Sequence, residues 1–329
     1  MRLDCRSFET AVQAAERKGV RLFTDCREGG CGTCKASIQS GQFSLDDYSR
    51  DALTDAELTE GRILACRLRP ETPCVIEFDY PFSAIRRLPA AEPRTAAIAE
   101  LARLADDVIE LTLEANDGKP FDFIPGQYAN LQIPDTAIVR SYSFVNEPGT
   151  NRAVFLIRLL RDGAMSGWLQ RQSAPGAALF ITAPFGRFFL RDATRPMVFV
   201  GGGTGIGPIV SMLQSLKRAA TPPPAVQLAF GVNTVSGLFY RDRLTQLLAD
   251  FPGAKLTIAV MRREAPWQGF AGTAVDAAAT FDIDARAHAY LCGPPAMIER
   301  ARVALGLHGI GRRAVFTEAF LPTAEPKAA

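Results

Sequence analysis

The last third of the chain alternates short apolar runs with segments of helical periodicity. Residues 197–200, MVFV, are continuously apolar, which is typical of a strand buried on both faces. They lead through a glycine-rich turn into an amphipathic stretch. Three more strand-like runs, AVQLAFGV, LTIAVMRR and AHAYLCGPP, follow with predicted helices between or after them. Strands that alternate with helices predict a parallel, doubly wound sheet.

The middle of the chain has a different pattern. Strand-like runs occupy residues 96–115, 123–134, 140–148 and 153–161, and turn residues separate them. Spacing of this kind predicts a small antiparallel barrel or sandwich.

The chain is long enough for two or three domains. Its 329 residues exceed one ordinary core, and prolines at positions 81, 89 and 93 are typical of a semi-stiff linker. The predicted fold class is therefore multidomain, α+β and α/β. The predicted boundaries are a first domain over residues 1–80, a linker over 81–93, an antiparallel β-barrel domain over 94–193 and a parallel-sheet domain over 194–329.

Composition narrows the class of protein. Apolar residues make up 47% of the chain and charged residues 22%, which is typical of a soluble globular protein. A net charge of +2 does not favour nucleic acid as a partner, because phosphate binding requires a strongly basic surface. The chain has no run of eighteen apolar residues and no apolar N-terminal stretch as long as a signal peptide needs. We therefore predict a cytoplasmic protein with no membrane span.

The most specific chemical signal is the stretch CREGGCGTC. Its thiols, Cys26, Cys31 and Cys34, have the spacing C-x4-C-x2-C, and Cys66 follows after about one supersecondary unit. This is the plant-type spacing for a [2Fe–2S] cluster, which needs four thiolates. Zinc is the nearest alternative, but zinc sites usually join two C-x2-C pairs, and Cys66 has no such partner. The odd count of seven cysteines and a reducing compartment argue against a disulfide scaffold.

Glycines surround the predicted ligands. Gly29, Gly30 and Gly32 allow conformations that a Cβ disfavours, and their N–H groups can donate to the cluster sulfides. Outside the motif, we expect Cys5 and Cys74 to be small buried hydrophobic residues.

Residues 1 to about 80 resemble a plant-type ferredoxin of the β-grasp kind. SFETAVQAAERKGV resembles its helix, DCREGGCGTC its cluster loop, and GRILACRLRPETPCVIEF its last ligand and closing strand. That family normally begins with a strand hairpin, whereas here the predicted helix starts within about seven residues of Met1. Loss of a central strand would leave backbone donors unpaired, so we expect the natural start to lie upstream.

The stretch RSYS, residues 140–143, resembles the R-x-Y-S/T signature of the ferredoxin–NADP⁺ reductase superfamily. The resemblance implies that Arg140 pairs with the FAD pyrophosphate, that Tyr142 lies against the isoalloxazine and that Ser143 hydrogen-bonds N5. FLIRLLRDGAMSGWL resembles the second FAD segment of this superfamily, in which a short helix opens at a phosphate. The other residues that the resemblance assigns to FAD are Ser141, Ile157, Arg158, Gly163, Met165 and Ser166.

The stretch GGGTGIGP, residues 201–208, joins the first predicted parallel strand to a helix. Such a turn presents N–H groups and the positive helix end to a pyrophosphate. It departs from a strict G-x-G-x-x-G fingerprint but matches the superfamily form GGxGxxP.

CGPPAM resembles the superfamily turn that places Cys292 beside the nicotinamide. FTEAF resembles its closing segment, in which Glu318 orients the redox site and Phe320 covers the flavin. The residues that the resemblance assigns to the coenzyme are Gly202, Gly203, Thr204, Gly205, Cys292, Gly293 and Pro294, and those that it assigns to the redox chemistry are Ser143, Thr204, Cys292 and Glu318.

The order of these three segments resembles the reductase components of bacterial two-component ring-hydroxylating dioxygenases, of the benzoate, toluate and anthranilate type. The resemblance implies that NADH reduces FAD, that a [2Fe–2S] cluster is reduced next, and that a terminal oxygenase is the partner of a monomeric reductase. Two alternatives remain open at this point. One is the reductase of a diiron monooxygenase, which shares the domain order, and the other is an electron carrier or iron sensor with degenerate nucleotide sites.

The sequence also suggests a coenzyme preference. A 2′-phosphate requires Arg or Lys, and the loop after the second parallel strand has no positive charge over residues 232–235. We expect Arg241 and Arg243, which come later, to pair with Asp242 or Asp250 on the surface. These features predict NADH rather than NADPH.

Acidic residues crowd the segment before Cys66, and only Arg50 and Arg62 lie among them. We predict that this segment is either a solvated helix face or a negative patch that steers a basic oxygenase surface. Its acidic residues are Asp46, Asp47, Asp51, Asp55, Glu57 and Glu60.

Overall fold

The computed structural model describes residues 1–85, 93–172, 174–218, 224–262 and 267–320. The chain forms two compact units. The first comprises Met1–Ala91 with Phe185–Arg187, and the second comprises Glu92–Pro184 with Phe188–Ala329.

The first unit is built from short elements. A capping box between Thr10 and Gln13 starts its first helix, because each side chain accepts a hydrogen bond from the other residue's backbone. β3, β1 and β5 form an antiparallel sheet in that order, and β2 pairs with β4. The elements are α1 (Ala11–Arg17), β1 (Lys35–Ser40), β2 (Phe43–Leu45), α2 (Asp55–Thr59), β3 (Arg62–Leu64), β4 (Leu68–Pro70), β5 (Val75–Glu77) and a 3₁₀ turn (Phe82–Ala84).

The first half of the second unit is antiparallel, as predicted. Its strands follow the order β10-β7-β6-β11-β8-β9, and a bridge between Phe144 and Phe155 joins the end of β9 to β10. The six strands therefore curl towards a closed barrel around an apolar core. The elements are β6 (Arg94–Ala105), β7 (Val108–Ala115), β8 (Tyr128–Gln132), β9 (Val139–Ser143), β10 (Arg152–Arg158), α3 (Ala164–Gln172) and β11 (Ala178–Phe185).

The second half of this unit is a parallel sheet with the order β15-β14-β13-β12-β16-β17, which confirms the doubly wound prediction. The strand order reverses at β12, so the carboxyl ends of β12 and β16 flank the crevice where such sheets bind ligands. The elements are β12 (Met197–Gly202), α4 (Ile206–Arg218), β13 (Val226–Val232), α5 (Arg241–Leu248), β14 (Lys255–Val260), β15 (Phe270–Ala271), α6 (Ala274–Ala278), β16 (His288–Gly293), α7 (Pro295–Leu307) and β17 (Val315–Ala319), with 3₁₀ turns at Gly203–Gly205 and Arg312–Ala314.

The barrel and the parallel sheet also share a hydrophobic core, which is separate from the core inside the barrel. Barrel residues Val145 and Leu156 are buried in the same cluster as Ile209 and Met212 of α4. At Gly126 a Cβ would overlap the backbone oxygen of Phe188 and the Met212 side chain, so the barrel approaches α4 closely here. The flavin and coenzyme segments are therefore held against each other by close packing. None of the helices in the described ranges is both long and apolar enough to cross a membrane.

Candidate functional site

The four thiols of the predicted cluster site lie on the loop between α1 and β1 and after β3. Cys26 and Cys31 are exposed, whereas Cys34 and Cys66 are buried. The Cys34 thiol donates to the Cys66 sulfur at 3.1 Å, and the Gly30 N–H donates to the Cys26 sulfur at 3.3 Å. The fold thus brings Cys66 to Cys34, the thiol that precedes it in the motif by 32 positions.

The loop conformation requires glycine at two positions. Gly29 and Gly32 have φ values of +75° and +74°, in the left-handed region. A Cβ on Gly29 would lie 2.7 Å from Tyr48 Cβ, so the space is filled as well. Gly30 has neither constraint, and its function here is the N–H that it directs at Cys26. Arg27 is also left-handed, with φ of 61°, which the sequence did not predict.

The electrostatics of the site favour thiolate at Cys66. The hydrogen bond from Cys34 is the main reason that the pKa of the Cys66 thiol falls to about 7, and the Gly29 N–H and the Arg67 charge act in the same direction. The same thiol–thiol contact, together with burial, raises the pKa of Cys34. Partial burial opposes ionisation of Cys26, but hydrogen bonds from Cys31 and from the backbone lower its pKa below the ordinary value.

The arrangement of the thiols as two pairs suits two irons. Cys34 lies with Cys66, and Cys26 and Cys31 perturb each other's pKa. A [2Fe–2S] cluster needs two protein ligands on each of its two irons, whereas one structural zinc needs all four around one centre. The residues therefore fit the cluster better than they fit zinc.

The RSYS segment forms β9 at the edge of the barrel sheet. Ser143 is buried, and its hydroxyl donates to the Glu318 carboxylate at 3.0 Å, across 175 positions of sequence. The hydroxyl of Ser141 donates to the Asn130 side chain at 2.7 Å. Tyr142 packs against the barrel core, and burial raises its pKa, so its hydroxyl stays protonated. Arg140 is half-buried and donates to the adjacent Val139 carbonyl at 2.8 Å.

The second FAD segment is more buried than the sequence suggested. The side chains of Ile157 and Met165 belong to the barrel core, so only their backbones remain for a ligand. Ser166 accepts the Leu160 N–H at 2.9 Å and so closes the turn at Gly163, directly before α3 begins. Arg158 pairs with Asp107 at 2.7 Å. Of this set, Arg158 keeps an exposed polar side chain, and the free N–H groups at the start of α3 are the other polar donors.

Two glycine turns meet at the carboxyl edge of the parallel sheet. The turn after β12 begins at Gly203, with φ of +54°, and contains Thr204. At Gly205 a Cβ would overlap the carbonyl of Cys292, so this position requires glycine. Met297 lies between the turns, because its side chain is 2.7 Å and 2.8 Å from the positions that a Cβ would take on Gly202 and Gly293. Met297 therefore spaces the two turns, a function that the sequence analysis did not assign.

Cys292 ends β16 beside Glu318 of β17. The two residues are register partners in the parallel sheet, and Cys292 is fully buried. Burial raises the pKa of Cys292 well above its ordinary value, and the Glu318 charge adds to this effect, so the thiol is neutral. The Phe320 N–H donates to the Gly293 carbonyl at 3.0 Å, which places the closing segment on the CGPP turn, where Pro294 caps α7. Ser143, Cys292 and Glu318, predicted from three separate motifs, are thus brought to one place.

Three expectations about charged residues and thiols were wrong. Arg243 pairs with Glu110 of β7 at 3.0 Å, not with Asp242 or Asp250, because the shared core brings α5 against the barrel. Asp250 pairs with Lys217 instead. Cys5 and Cys74 are only half-buried, because the short first-unit strands leave that edge partly open.

A nearby cation was also missed. The Arg262 N–H donates to the Asn233 carbonyl at 2.9 Å, so a cation from the neighbouring strand end lies beside the loop that has none of its own. Because parallel strands end at the same edge, a scan of the residues after β14 is the signal that could have found it.

The acidic segment before Cys66 is partly neutralised. Asp46 pairs with Arg69 at 2.7 Å and Glu57 with Lys35 at 2.7 Å, while Arg50 lies 3.7 Å from Asp55. Glu57 also completes the capping box of α2 with Thr54. Four of the six acidic residues are exposed, Asp47, Asp51, Asp55 and Glu60.

Comparison with known proteins identifies the three segments. Residues 1–71 match the 2Fe-2S iron-sulfur cluster binding domain, residues 95–190 the oxidoreductase FAD-binding domain and residues 199–303 the oxidoreductase NAD-binding domain. The chain is therefore an oxidoreductase that uses FAD, NADH and a [2Fe–2S] cluster.

Relatives resemble the chain over nearly its whole length. The anthranilate 1,2-dioxygenase electron transfer component of Acinetobacter baylyi is 35% identical, with 97% of this chain and 95% of that protein aligned. The propane 2-monooxygenase reductase component of Mycolicibacterium goodii is 33% identical, with 97% of this chain and 94% of that protein aligned. The crystal structure of the Amycolatopsis cytochrome P450 reductase GcoB matches with a TM-score of 0.74 and 28% identity, over 98% of this chain and 97% of that one. The chain therefore belongs to the family of iron–sulfur flavoprotein reductases that includes the anthranilate 1,2-dioxygenase electron transfer component.

Proposed function

We propose that this reductase supplies electrons from NADH to a terminal aromatic-ring-hydroxylating oxygenase of the Rieske type. The observation that carries the proposal is the hydrogen bond between Ser143 and Glu318, beside Cys292, in a chain that also carries the four thiols of the cluster motif. Bound FAD accepts two electrons as hydride and releases them singly, and the cluster carries single electrons. The relative with 35% identity is a dioxygenase component, which favours this partner over a diiron monooxygenase.

The proposed redox residues act by orientation and by excluding water. The Ser143 hydroxyl donates to the Glu318 carboxylate in this structure. With oxidised FAD bound, the same hydroxyl would donate to the lone pair of N5, and after reduction its lone pairs would accept the N5–H. Cys292 is buried and neutral, so it offers a compact apolar contact beside the nicotinamide. Phe320 shields the flavin face, and Thr204 lies on the glycine turn that opens α4.

The proposed binding residues use mainly backbone donors. Arg140 and the N–H of Met165 would bind the FAD pyrophosphate, because a helix start and a guanidinium both favour anions. Gly163 would let the phosphate approach the start of α3, since its own N–H donates to the Leu160 carbonyl at 3.2 Å. Around them, Ser141, Tyr142, Ile157, Arg158 and Ser166 would complete the FAD site. For the coenzyme, the proposed contacts are Gly202, Gly203, Gly205, Gly293 and Pro294, whose backbones lie at the carboxyl edge of the sheet.

The proposed cluster ligands are Cys26 and Cys31 on one iron and Cys34 and Cys66 on the other. This division follows the two pairs of thiols. We also propose the domain boundaries 1–80, 94–193 and 194–329, with a linker over 81–93.

The remaining proposals concern the setting of the protein. We propose a cytoplasmic protein, which its seven free cysteines support, since a reducing compartment keeps thiols free. We propose a monomer that binds neither membranes nor nucleic acid, because one chain carries all three cofactor segments and its net charge is only +2.

Reconstitution tests the partner. The purified reductase, NADH and either a Rieske-type benzoate or anthranilate oxygenase or a diiron propane hydroxylase are combined, and product is measured per NADH consumed. We expect coupled turnover with the Rieske oxygenase. Faster and better coupled turnover with the diiron hydroxylase would assign the chain to the alternative class. Glu318→Gln, which keeps the shape of the side chain, should slow NADH oxidation with either partner.

A further inference from the structure

Arg67 occupies a special position at the cluster loop. It directly follows the proposed ligand Cys66, and its backbone is held on both sides. Its N–H donates to the Leu64 carbonyl at 2.9 Å, and its carbonyl accepts the Asp46 N–H at 2.9 Å. The side chain therefore starts from a fixed point beside the buried sulfur.

The stem of this side chain packs on the loop that carries the first ligands. A Cβ on Gly29 would lie 3.0 Å from Arg67 Cγ, and Gly29 stands between Cys26 and Cys31 in sequence. Gly29 itself is held from the other side, because its carbonyl accepts the Ser49 N–H at 3.1 Å. Arg67 and Tyr48 are thus the two side chains against which the glycine turn of the cluster loop is packed.

The guanidinium group lacks a partner for one buried donor. Arg67 Nε is shielded from solvent and has no hydrogen-bond acceptor among the described residues. Arg69, two residues later on β4, differs, since its Nε donates to Asp46 at 2.7 Å. A buried donor on a charged group is costly to leave unpaired, so an acceptor is expected at this position. The sulfur atoms of a bound cluster are negatively charged hydrogen-bond acceptors. They would lie beside the cysteines next to Arg67.

We propose that Arg67 is a positioning residue of the cluster, whose Nε–H donates to a cluster sulfur and whose charge stabilises the reduced state. This inference rests on the proposed ligand set. Reduction adds one negative charge to the cluster, so a nearby cation and a hydrogen bond favour the reduced state and raise the reduction potential. Arg67 would therefore set how readily the reductase delivers electrons.

The test is a redox titration of the full-length holoprotein, followed by the electron paramagnetic resonance signal of the reduced cluster. Arg67→Met keeps an apolar stem on Gly29 but removes the donor and the charge. We expect the equilibrium to shift at least tenfold towards the oxidised cluster, which is about 59 mV for a one-electron couple. Arg67→Lys keeps the charge but loses the planar fork, so its potential should lie between those of Arg67→Met and the parent protein.

Arg50→Met is the matched control, because it removes the same charge from a side chain that is 83% exposed. Its equilibrium between oxidised and reduced cluster should differ from that of the parent protein by no more than about twofold, since exposed charges are screened. A parent-like potential in Arg67→Met overturns the proposal. If Arg67→Met does not retain its iron, the Arg67→Lys variant is the test. A parent-like potential in Arg67→Lys, or loss of iron from that variant too, overturns the proposal. Cys66→Ser tests the ligand set separately, because full iron content in that variant would contradict the proposed ligands whatever Arg67 does.

Discussion

The two compact units position their sites in different ways. In the second unit, β6 has 12 residues and β7 has 8, and one hydrophobic core runs through the barrel and the parallel sheet. In the first unit, four of the five strands have only 3 residues, and two of the four proposed ligands are exposed. The flavin and coenzyme residues therefore lie at the ends of strands that a large core holds. Three of the cluster ligands lie on a loop instead, and the fourth lies in the turn after β3.

This difference indicates which interactions stabilise the site in each unit. Small domains bury a smaller fraction of their surface, so a metal centre that joins loop and strand adds stability that the core alone lacks. The second unit is large enough for its sites to be preformed by packing. Loss of the cluster should thus affect the first unit strongly and the second unit little.

The substitution Cys66→Ser is the strongest test of this difference between the two units. We expect loss of the cluster and of cytochrome c reduction to background, because the second iron loses one of two ligands. FAD content and NADH-dependent ferricyanide reduction should remain, since they depend on the second unit. Cys74→Ser, outside the motif, is the control and should keep both activities. Loss of ferricyanide reduction in Cys66→Ser with FAD still bound would show that the units are not independent.

Glu318→Gln probes the preformed site of the second unit. We expect flavin reduction by NADH to slow by about 10- to 100-fold, since a hydrogen bond to a charged group contributes ~1.5–3 kcal/mol. Stopped-flow absorbance of the flavin measures the rate, and the visible spectrum of the cluster serves as the control. An unchanged rate would mean that the bond from Ser143 has no part in the chemistry.

Thiol alkylation compares the two units directly. In cluster-free protein at about pH 8, iodoacetamide should modify Cys26 first, because it is exposed and its pKa is lowered. Cys292 should react last, since its raised pKa keeps it a thiol until the pH rises well above the ordinary range. Peptide mass spectrometry gives the order, and early modification of Cys292 would contradict the packed site.

Coenzyme preference tests whether packing in the second unit keeps Arg243 away from the 2′-phosphate of NADPH. Arg243→Ala should leave the ratio of kcat/KM values for NADH and NADPH unchanged, because Glu110 and Tyr240 hold the guanidinium. Arg262→Ala should lower kcat/KM for NADPH more than for NADH, since the Arg262 backbone bonds to Asn233 of this loop and its side chain is exposed. Steady-state kinetics with ferricyanide measures both, and a selective loss with NADPH in Arg243→Ala would show that this arginine reaches the phosphate.

The smallest effect should come from the acidic segment of the first unit. With Asp46 and Glu57 paired, coupled turnover should fall with added salt by no more than about fivefold, which corresponds to ~1 kcal/mol. Asp47→Asn combined with Asp51→Asn should flatten the salt dependence, and Glu299→Gln, on α7, is the control. A rate indifferent to salt in the parent protein would leave the segment as a solvated helix face.

Much of this protein is determined by local sequence. The spacing of Cys26, Cys31 and Cys34, the left-handed Gly29 and the strand–turn–helix at Gly203 all depend on neighbouring residues. Periodicity likewise predicted the antiparallel and parallel sheets, because side-chain alternation is a property of each segment alone.

The tertiary structure decided everything that joins distant segments. The Ser143–Glu318 bond spans 175 positions and the Arg243–Glu110 pair 133, and neither has a local signal. The burial of Met165 and the unpaired Nε of Arg67 depend on which surfaces meet in the folded chain. Pattern and spacing specify which groups are available, whereas packing decides which of them are covered, paired or left free to act.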